Sequence, residues 1–175
     1  MKTSIALLAA LCAISGIVRA EISPVMLRVE QVTSVDHAKF KKTQEKSLKI
    51  FISNTSTSDL GNLKVKYYFF GHGVKEHESE VVDKGEKTAS VKARETVTVE
   101  SEDAKATAVE QHYVATRGGL KSSSKKGSGF NKGKQVAASG EKLTGYGVQV
   151  LSDGKVIADY FSEPSLKEKV GGGKP

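Results

Sequence analysis

Apolar side chains recur at every second position over several short runs, and no stretch carries the 3.6-residue period of a long amphipathic helix. The clearest case is Gly145 to Phe161, Gly-Tyr-Gly-Val-Gln-Val-Leu-Ser-Asp-Gly-Lys-Val-Ile-Ala-Asp-Tyr-Phe. Two alternating runs flank Asp153-Gly154, a dipeptide that accepts the positive φ angles of a type I′ turn. A two-residue loop predicts Leu151 opposite Val156, Val150 opposite Ile157, Val148 opposite Asp159 and Tyr146 opposite Phe161. One face then carries Tyr146, Val148, Val150, Ile157 and Phe161. The other carries Gly147, Gln149 and Leu151 with Val156, Ala158 and Tyr160. A lone hairpin is marginal in water, so its apolar face requires a second layer.

Further strands precede it. Val25 to Val35 alternates with Val25, Leu27 and Val29 on one side. Asp36 to Lys46 is polar and lysine-rich, with Phe40 its only large apolar residue, and reads as a loop. Ser47 to Asn54 places Leu48, Ile50 and Ile52 on one face, and the Thr-Ser-Thr-Ser-Asp that follows is turn chemistry. Asn62 to Phe70 alternates strongly, with Leu63, Val65, Tyr67 and Phe69 inward and Tyr68 and Phe70 as an outward ring pair. Val74 to Val82 reads as an edge strand with charges on its open side. Glu95 to Ser101 is a short strand with Val97 and Val99 inward. Within Ala104 to Thr116 the alanines permit helix, while Tyr113, Val114 and Thr116 favour strand in the later half. Glu163-Pro164-Ser165-Leu166 turns the chain away, and the end reads as a frayed tail.

Seven to eight short strands with turn signals between them predict an all-β fold, an antiparallel β-sandwich. Two stretches carry a family resemblance: Leu-Lys-Ile-Phe-Ile-Ser-Asn-Thr-Ser followed by Leu-Lys-Val-Lys-Tyr-Tyr-Phe-Phe, and the Gly145 hairpin. The first resembles the strand B to strand C passage of secreted bacterial immunoglobulin-like or fibronectin-III-like domains. The second is similar to the C-terminal hairpin of small secreted proteins of gut Verrucomicrobia, one of them pilus-gene-associated. The resemblance covers residues 46–70 and 142–166, implies a structural or interaction role, and transfers no site residues. With no tryptophan in the chain, the antibody-type Cys-Trp-Cys signature is absent.

Composition changes the picture at the N-terminus. Lys2, the apolar run Ile5 to Val18 and Val18-Arg19-Ala20 read as an export signal cleaved before Glu21. The run is shorter than the ~20 residues of a membrane span. Leu11 stands where lipidation of Cys12 would need a small residue. Removing residues 1–20 leaves 155 residues, 25 basic against 20 acidic, and no cysteine, so a disulfide framework and a thiol nucleophile are both excluded from the mature chain. The expected organisation is a signal peptide over 1–20, a β-sandwich domain over 21–167 containing a flexible basic loop at 117–140, and a disordered tail over 168–175. The expected location is the periplasm, the outer membrane or the cell surface. Asn54-Thr55-Ser56 matches a glycosylation sequon, which in a bacterial chain reads as coincidence.

Arg117 to Lys134 breaks the pattern around it. It holds Arg117, Lys121, Lys125, Lys126, Lys132 and Lys134, and no acid. Such a composition buries too little apolar surface to offset ordering entropy, which predicts a mobile loop. Those six cations are the candidate polyanion site, for an acidic glycan or lipopolysaccharide phosphate. Phe130 alone offers a base-stacking ring, which argues against nucleic acid.

Other motifs fail on their context. Ser122-Ser123-Ser124-Lys125 has Ser-x-x-Lys spacing without a helix to hold it. Gly-Ser-Gly-Phe-Asn-Lys-Gly-Lys lacks the first glycine and final hydroxyl of a phosphate loop. His72 and His77 flank a turn near Glu76 and Glu78, but zinc needs three or four convergent donors, and the histidines read as surface residues. No nucleophile–base pair is placed by the sequence. The expectation is therefore a non-enzymatic envelope interaction module without cofactors, acting through a protein partner or self-association. The alternative is a polyanion- or glycan-binding module.

Overall fold

The computed structural model describes residues 23–114 and 134–171. The fold is an antiparallel all-β sandwich, and the described residues form ten strands and one short helix: β1 (Val25–Ala38), β2 (Lys41–Asn54), β3 (Leu60–Gly73), β4 (Glu80–Val91), β5 (Thr96–Glu100), β6 (Ala104–Val109), β7 (His112–Val114), β8 (Lys134–Val136), β9 (Ser139–Ser152), β10 (Lys155–Phe161) and α1 (Ser165–Gly171). Eight strands form the sandwich, in the order β1-β2-β6-β9-β3-β4, with β5 also on β2 and β10 on β9. β7 and β8 form a separate two-stranded ribbon.

The path folds over at the start of β9. Ser139 and Gly140 pair with β6, and the strand then runs on between β3 and β10. Gly140 makes this corner at φ +98°, where a Cβ would lie 2.1 Å from the carbonyl oxygen of Thr107, so a side chain is excluded there. One layer is thus β1, β2, β5 and β6, and the other β10, β9, β3 and β4. Between them lies a single core. Leu48, Ile50, Ile52, Val99, Ala104 and Ala106 come from the first layer, and Leu63, Val65, Tyr67, Phe69, Leu143, Val148 and Val150 from the second. Alternation read from the sequence therefore matches burial in β2, β3 and β5.

Several sequence expectations are corrected. Asp36 to Lys46 is not a loop. β1 and β2 pair without interruption from Val25↔Asn54 to Ala38↔Lys41, and β2 continues onto β6 through Lys41↔Val109 to Lys46↔Ala104. Backbone pairing on both sides holds a strand that has few apolar side chains to bury. For the same reason Ala104–Val109 is strand, with its alanines inward, and not only the later half of that stretch. The edge strand is Glu80–Val91, while Val74 to Ser79 is a connection that begins with a turn closed by Glu76 N–H to Gly73 O (2.9 Å). Of the loop expected over 117–140, Lys134–Val136 and Ser139–Gly140 are strand because β7 and β6 pair with them.

The hairpin turn is as predicted, with Asp153 at φ +50° and Gly154 at +80°, and Leu151 faces Val156. Beyond it a bulge at Ile157 shifts the register by one, so Val150 faces Ala158, Val148 faces Tyr160 and Phe161 faces Gly147. The shift carries Phe161 to the outer face, where its ring lies over Gly147 so closely that a Cβ there would meet it at 2.4 Å. Phe70, expected outward and exposed, is fully buried on that face, its ring 6.5 Å from that of Phe161. Leu166 of α1, also buried, lies over Gly145. These contacts make α1 a lid on a second, smaller apolar cluster, so residues 168–171 are helix and not tail.

Among the described residues Asn54 is the one buried polar side chain, 2% exposed. Its Oδ1 accepts from Ser56 N–H (2.9 Å) and Ser56 Oγ–H (2.7 Å), and its Nδ2 donates to the carbonyls of Ser58 (2.7 Å), Lys92 (3.2 Å) and Val91 (3.4 Å). One amide thus ties the β2–β3 turn to the β4–β5 connection. Its nitrogen is fully committed, and the sequon it begins is closed in the folded domain.

Candidate functional site

Of the six cations proposed from the sequence, Lys134 alone is placed. It is exposed in β8, opposite Val114 of β7. Arg117, Lys121, Lys125, Lys126 and Lys132 lie outside the described residues. The ribbon sets Val114 opposite Lys134.

The structure adds neighbours that sequence reasoning missed. Phe40, at the tip of the β1–β2 hairpin, stacks on His112 at the foot of the ribbon, ring centroids 4.0 Å apart and 3° from parallel. Glu110 N–H donates to Phe40 O at 2.8 Å, and the Lys39 ammonium sits 5.4 Å over the Phe40 ring. Lys39, Lys41 and Lys42 therefore share an end of the molecule with Lys134. Reading 36–46 as a loop hid this, although the lysine density was visible.

The neighbouring interior is polar but satisfied. A bulge at Thr144 of β9, between the Phe70↔Gly145 and Gly71↔Leu143 pairs, turns Leu143 into the core. Gln44 Oε1 accepts from Leu143 N–H at 3.2 Å, and Lys46 Nζ donates to Leu143 O at 3.1 Å. Burial lowers the Lys46 pKa, because a partly desolvated ammonium is penalised. Lys46 is thus a brace for the strand that crosses between layers. Tyr68, half-buried on the outer face, donates to Gln149 Oε1 at 3.2 Å, and its pKa is raised by burial and by the nearby Glu86 carboxylate.

The histidines are not drawn together. His72 Nδ1 lies 2.7 Å from Gly73 O and His112 Nδ1 2.9 Å from Glu110 O. Among the described residues no group of three His, Cys, Asp or Glu is placed to hold a metal ion, and no helix is long and apolar enough to cross a membrane.

The most distinctive surface is the open edge of β1. Among the described residues β2 is its one hydrogen-bonded neighbour. Its root is held by Ser23 Oγ, which donates to Ile157 O of the bulge at 2.6 Å. Every residue from Gln31 to Phe40 is exposed, with Val32 at 47% and Val35 at 42%. Sheet edges present unpaired N–H and C=O groups, and folded chains guard them with charge, bulges or brevity. β4 follows that rule, with Glu80, Asp83, Lys84, Glu86 and Lys87 and two register shifts against β3. β5 is short and β10 bulged. β1 is long, unbulged and without charge from Gln31 to Val35.

Comparison with known proteins adds little beyond this geometry. A crystal structure from Akkermansia muciniphila is similar over 86% of this chain and 77% of that one, at 15% identity and a TM-score of 0.33. That organism belongs to the Verrucomicrobia, the group to which the sequence resemblance pointed. At this TM-score the likeness carries no argument about function, and the sandwich rests on its own strand pairing. No family model and no curated protein matches the chain.

Proposed function

We propose that this chain is an exported, non-enzymatic module of the bacterial cell envelope that docks a protein partner by strand addition along β1. The observation that carries the reading is the uncharged, exposed edge from Gln31 to Val35, set against the guarded edge of β4. Strand addition draws affinity from main-chain hydrogen bonds and specificity from alternate side chains, and needs no catalytic group. The export signal supports placement outside the cytoplasm, and the pilus-associated setting implied by the sequence resemblance belongs to the same proposal. The test is envelope fractionation with native gels, comparing wild type with a V32K/V35K variant whose edge is charged. The wild type is expected in the envelope, beginning at Glu21 and within a larger complex, and the variant is expected to migrate alone. Identical migration of the two, or wild type retained in the cytoplasm with Met1 intact, would contradict the reading.

A second reading, polyanion or acidic-glycan binding through residues 117–134, is favoured by the convergence of Lys39, Lys41 and Lys42 with Lys134 at one end. Charge contacts of this kind are weak and salt-labile, with Kd of ~10⁻⁴ to 10⁻⁶ M for nucleic acid at physiological salt. Binding to sulfated polysaccharide is expected to vanish when Lys125, Lys126, Lys132 and Lys134 are neutralised. Retained binding would remove the segment from the account.

A further inference from the structure

The strand that adds to β1 is, we infer, β1 of a second copy, paired antiparallel about a two-fold axis through Val32. This rests on the reading of β1 as the docking edge and specifies its occupant. A two-fold axis normal to the sheet keeps the core-facing sides of both copies on one side, so residue i must face a residue of the same parity. Centring on Val32 places Arg28 opposite Asp36 of the second copy, Val29 opposite its Val35, Glu30 opposite its Ser34, and Val32 opposite itself. By symmetry the Arg28–Asp36 and Val29–Val35 pairs each form twice. Cross-strand pairs of opposite charge and of β-branched residues stabilise a sheet, and like charges directly opposite destabilise it.

Neighbouring registers lack this match. Centring on Thr33 sets Glu30 against Asp36 twice, and centring on Gln31 leaves Arg28 opposite Ser34. Charge therefore selects one register. Arg28 is exposed; in the unpaired edge it pairs with Glu30 and lies over Phe51 of β2, 5.1 Å from the ring centroid, and reaching Asp36 of the second copy exchanges these surface contacts for the cross-strand pair. The interface is isologous, the usual form for a homodimer. Nine residues from Arg28 to Asp36 form a small contact against a standard interface of ~1,600 Å². The dimer is therefore expected to dissociate on dilution.

Sedimentation equilibrium on the processed chain (residues 21–175) tests this with a charge-reversal cycle. R28D and D36R are each expected to weaken dimerisation by about ten-fold, since each change acts twice, and the R28D/D36R double variant is expected to recover most of that loss. The mature chain has no cysteine, which allows a second readout. V32C is expected to oxidise to a disulfide-linked dimer, whereas Q31C and T33C are expected to link only when mixed, since opposed antiparallel Cα atoms lie ~4.5–5.5 Å apart, within disulfide reach. In dilute, monomeric protein, circular dichroism and the urea midpoint should be unchanged, because all these side chains are exposed or partly exposed. A double variant as weak as its parents, or T33C linking by itself, overturns the register. A monomeric wild type whose envelope complex is still lost in V32K/V35K overturns self-pairing and leaves the docking edge standing. A dimer insensitive to every β1 substitution overturns both.

Discussion

Replacing Asn54 with aspartate exchanges one NH₂ for one oxygen at a site that is 2% exposed. The acceptor half survives, since the retained oxygen still receives Ser56 N–H and Ser56 Oγ–H. The donor half is lost. The carbonyls of Ser58, Lys92 and Val91 then face a carboxylate in place of an amide nitrogen. Counting the two shorter donor bonds at about 1 kcal/mol each, with about 1 kcal/mol more for bringing a charge among carbonyl oxygens, gives a loss of about 3 kcal/mol at pH 7. At pH 3.5 the carboxyl is mostly protonated and its one O–H can serve Ser58 O, so the loss falls to about 1 kcal/mol. The sign follows. Burial among acceptors raises the folded-state pKa above the unfolded ~3.9, so the protonated form's advantage is present below ~3.9 and is lost as pH rises through the folded value. Urea unfolding of wild type and N54D at pH 3.5 and pH 7 measures both quantities, with the remaining titration cancelling between the proteins. A pH-independent difference, or one below about 1 kcal/mol at pH 7, would refute the reasoning.

Three other expectations follow from packing. G85A should cost about 1–3 kcal/mol in urea unfolding, because a Cβ there would lie 2.1 Å from Tyr67 Oη, which is held in the core and accepts from Glu102 N–H at 3.3 Å; an unchanged midpoint would show that Tyr67 moves freely. L166A should lose about 2 kcal/mol and increase hydrogen exchange in α1 and around Phe70, since Leu166 caps that outer cluster. F40A should free the hairpin tip without unfolding the domain, read as faster exchange at Ala38 to Lys42 with a global change below about 1 kcal/mol, because Phe40 is exposed and stacks only locally on His112.

What was legible in the sequence was the part of the fold whose side-chain alternation coincides with burial. Leu48, Ile50 and Ile52, and Leu63, Val65, Tyr67 and Phe69, alternate because one face of each strand meets the core. The outer half of the β1–β2 hairpin was illegible because both its faces are polar or exposed, so backbone pairing with β2 and β6 holds it and leaves no apolar period. The Ile157 bulge could not be foreseen from the turn, since what it achieves, Phe161 over Gly147 and Ser23 on Ile157 O, involves residues far apart in the chain. Phe70 looked outward by parity and was right in direction, but its cover, Leu166, comes from a helix too short to show a period. Of the basic segment, composition marked the residues, and among the described residues the structure places Lys134, in the ribbon with Val114. The open edge of β1 is no sequence signal by itself: it takes the pairing with β2 on one side and the exposure on the other to distinguish it from β4.

Amide hydrogen exchange resolved along β1, on residues 21–175 at low and high concentration, tests most directly whether β1 docks a strand. Amides of Gln31 to Val35 that point away from β2 are expected to exchange fast in dilute protein and to gain protection as concentration rises, while those bonded to β2 stay slow throughout. Protection of every amide from Gln31 to Val35 in the dilute protein, or exchange that never changes with concentration, would contradict it.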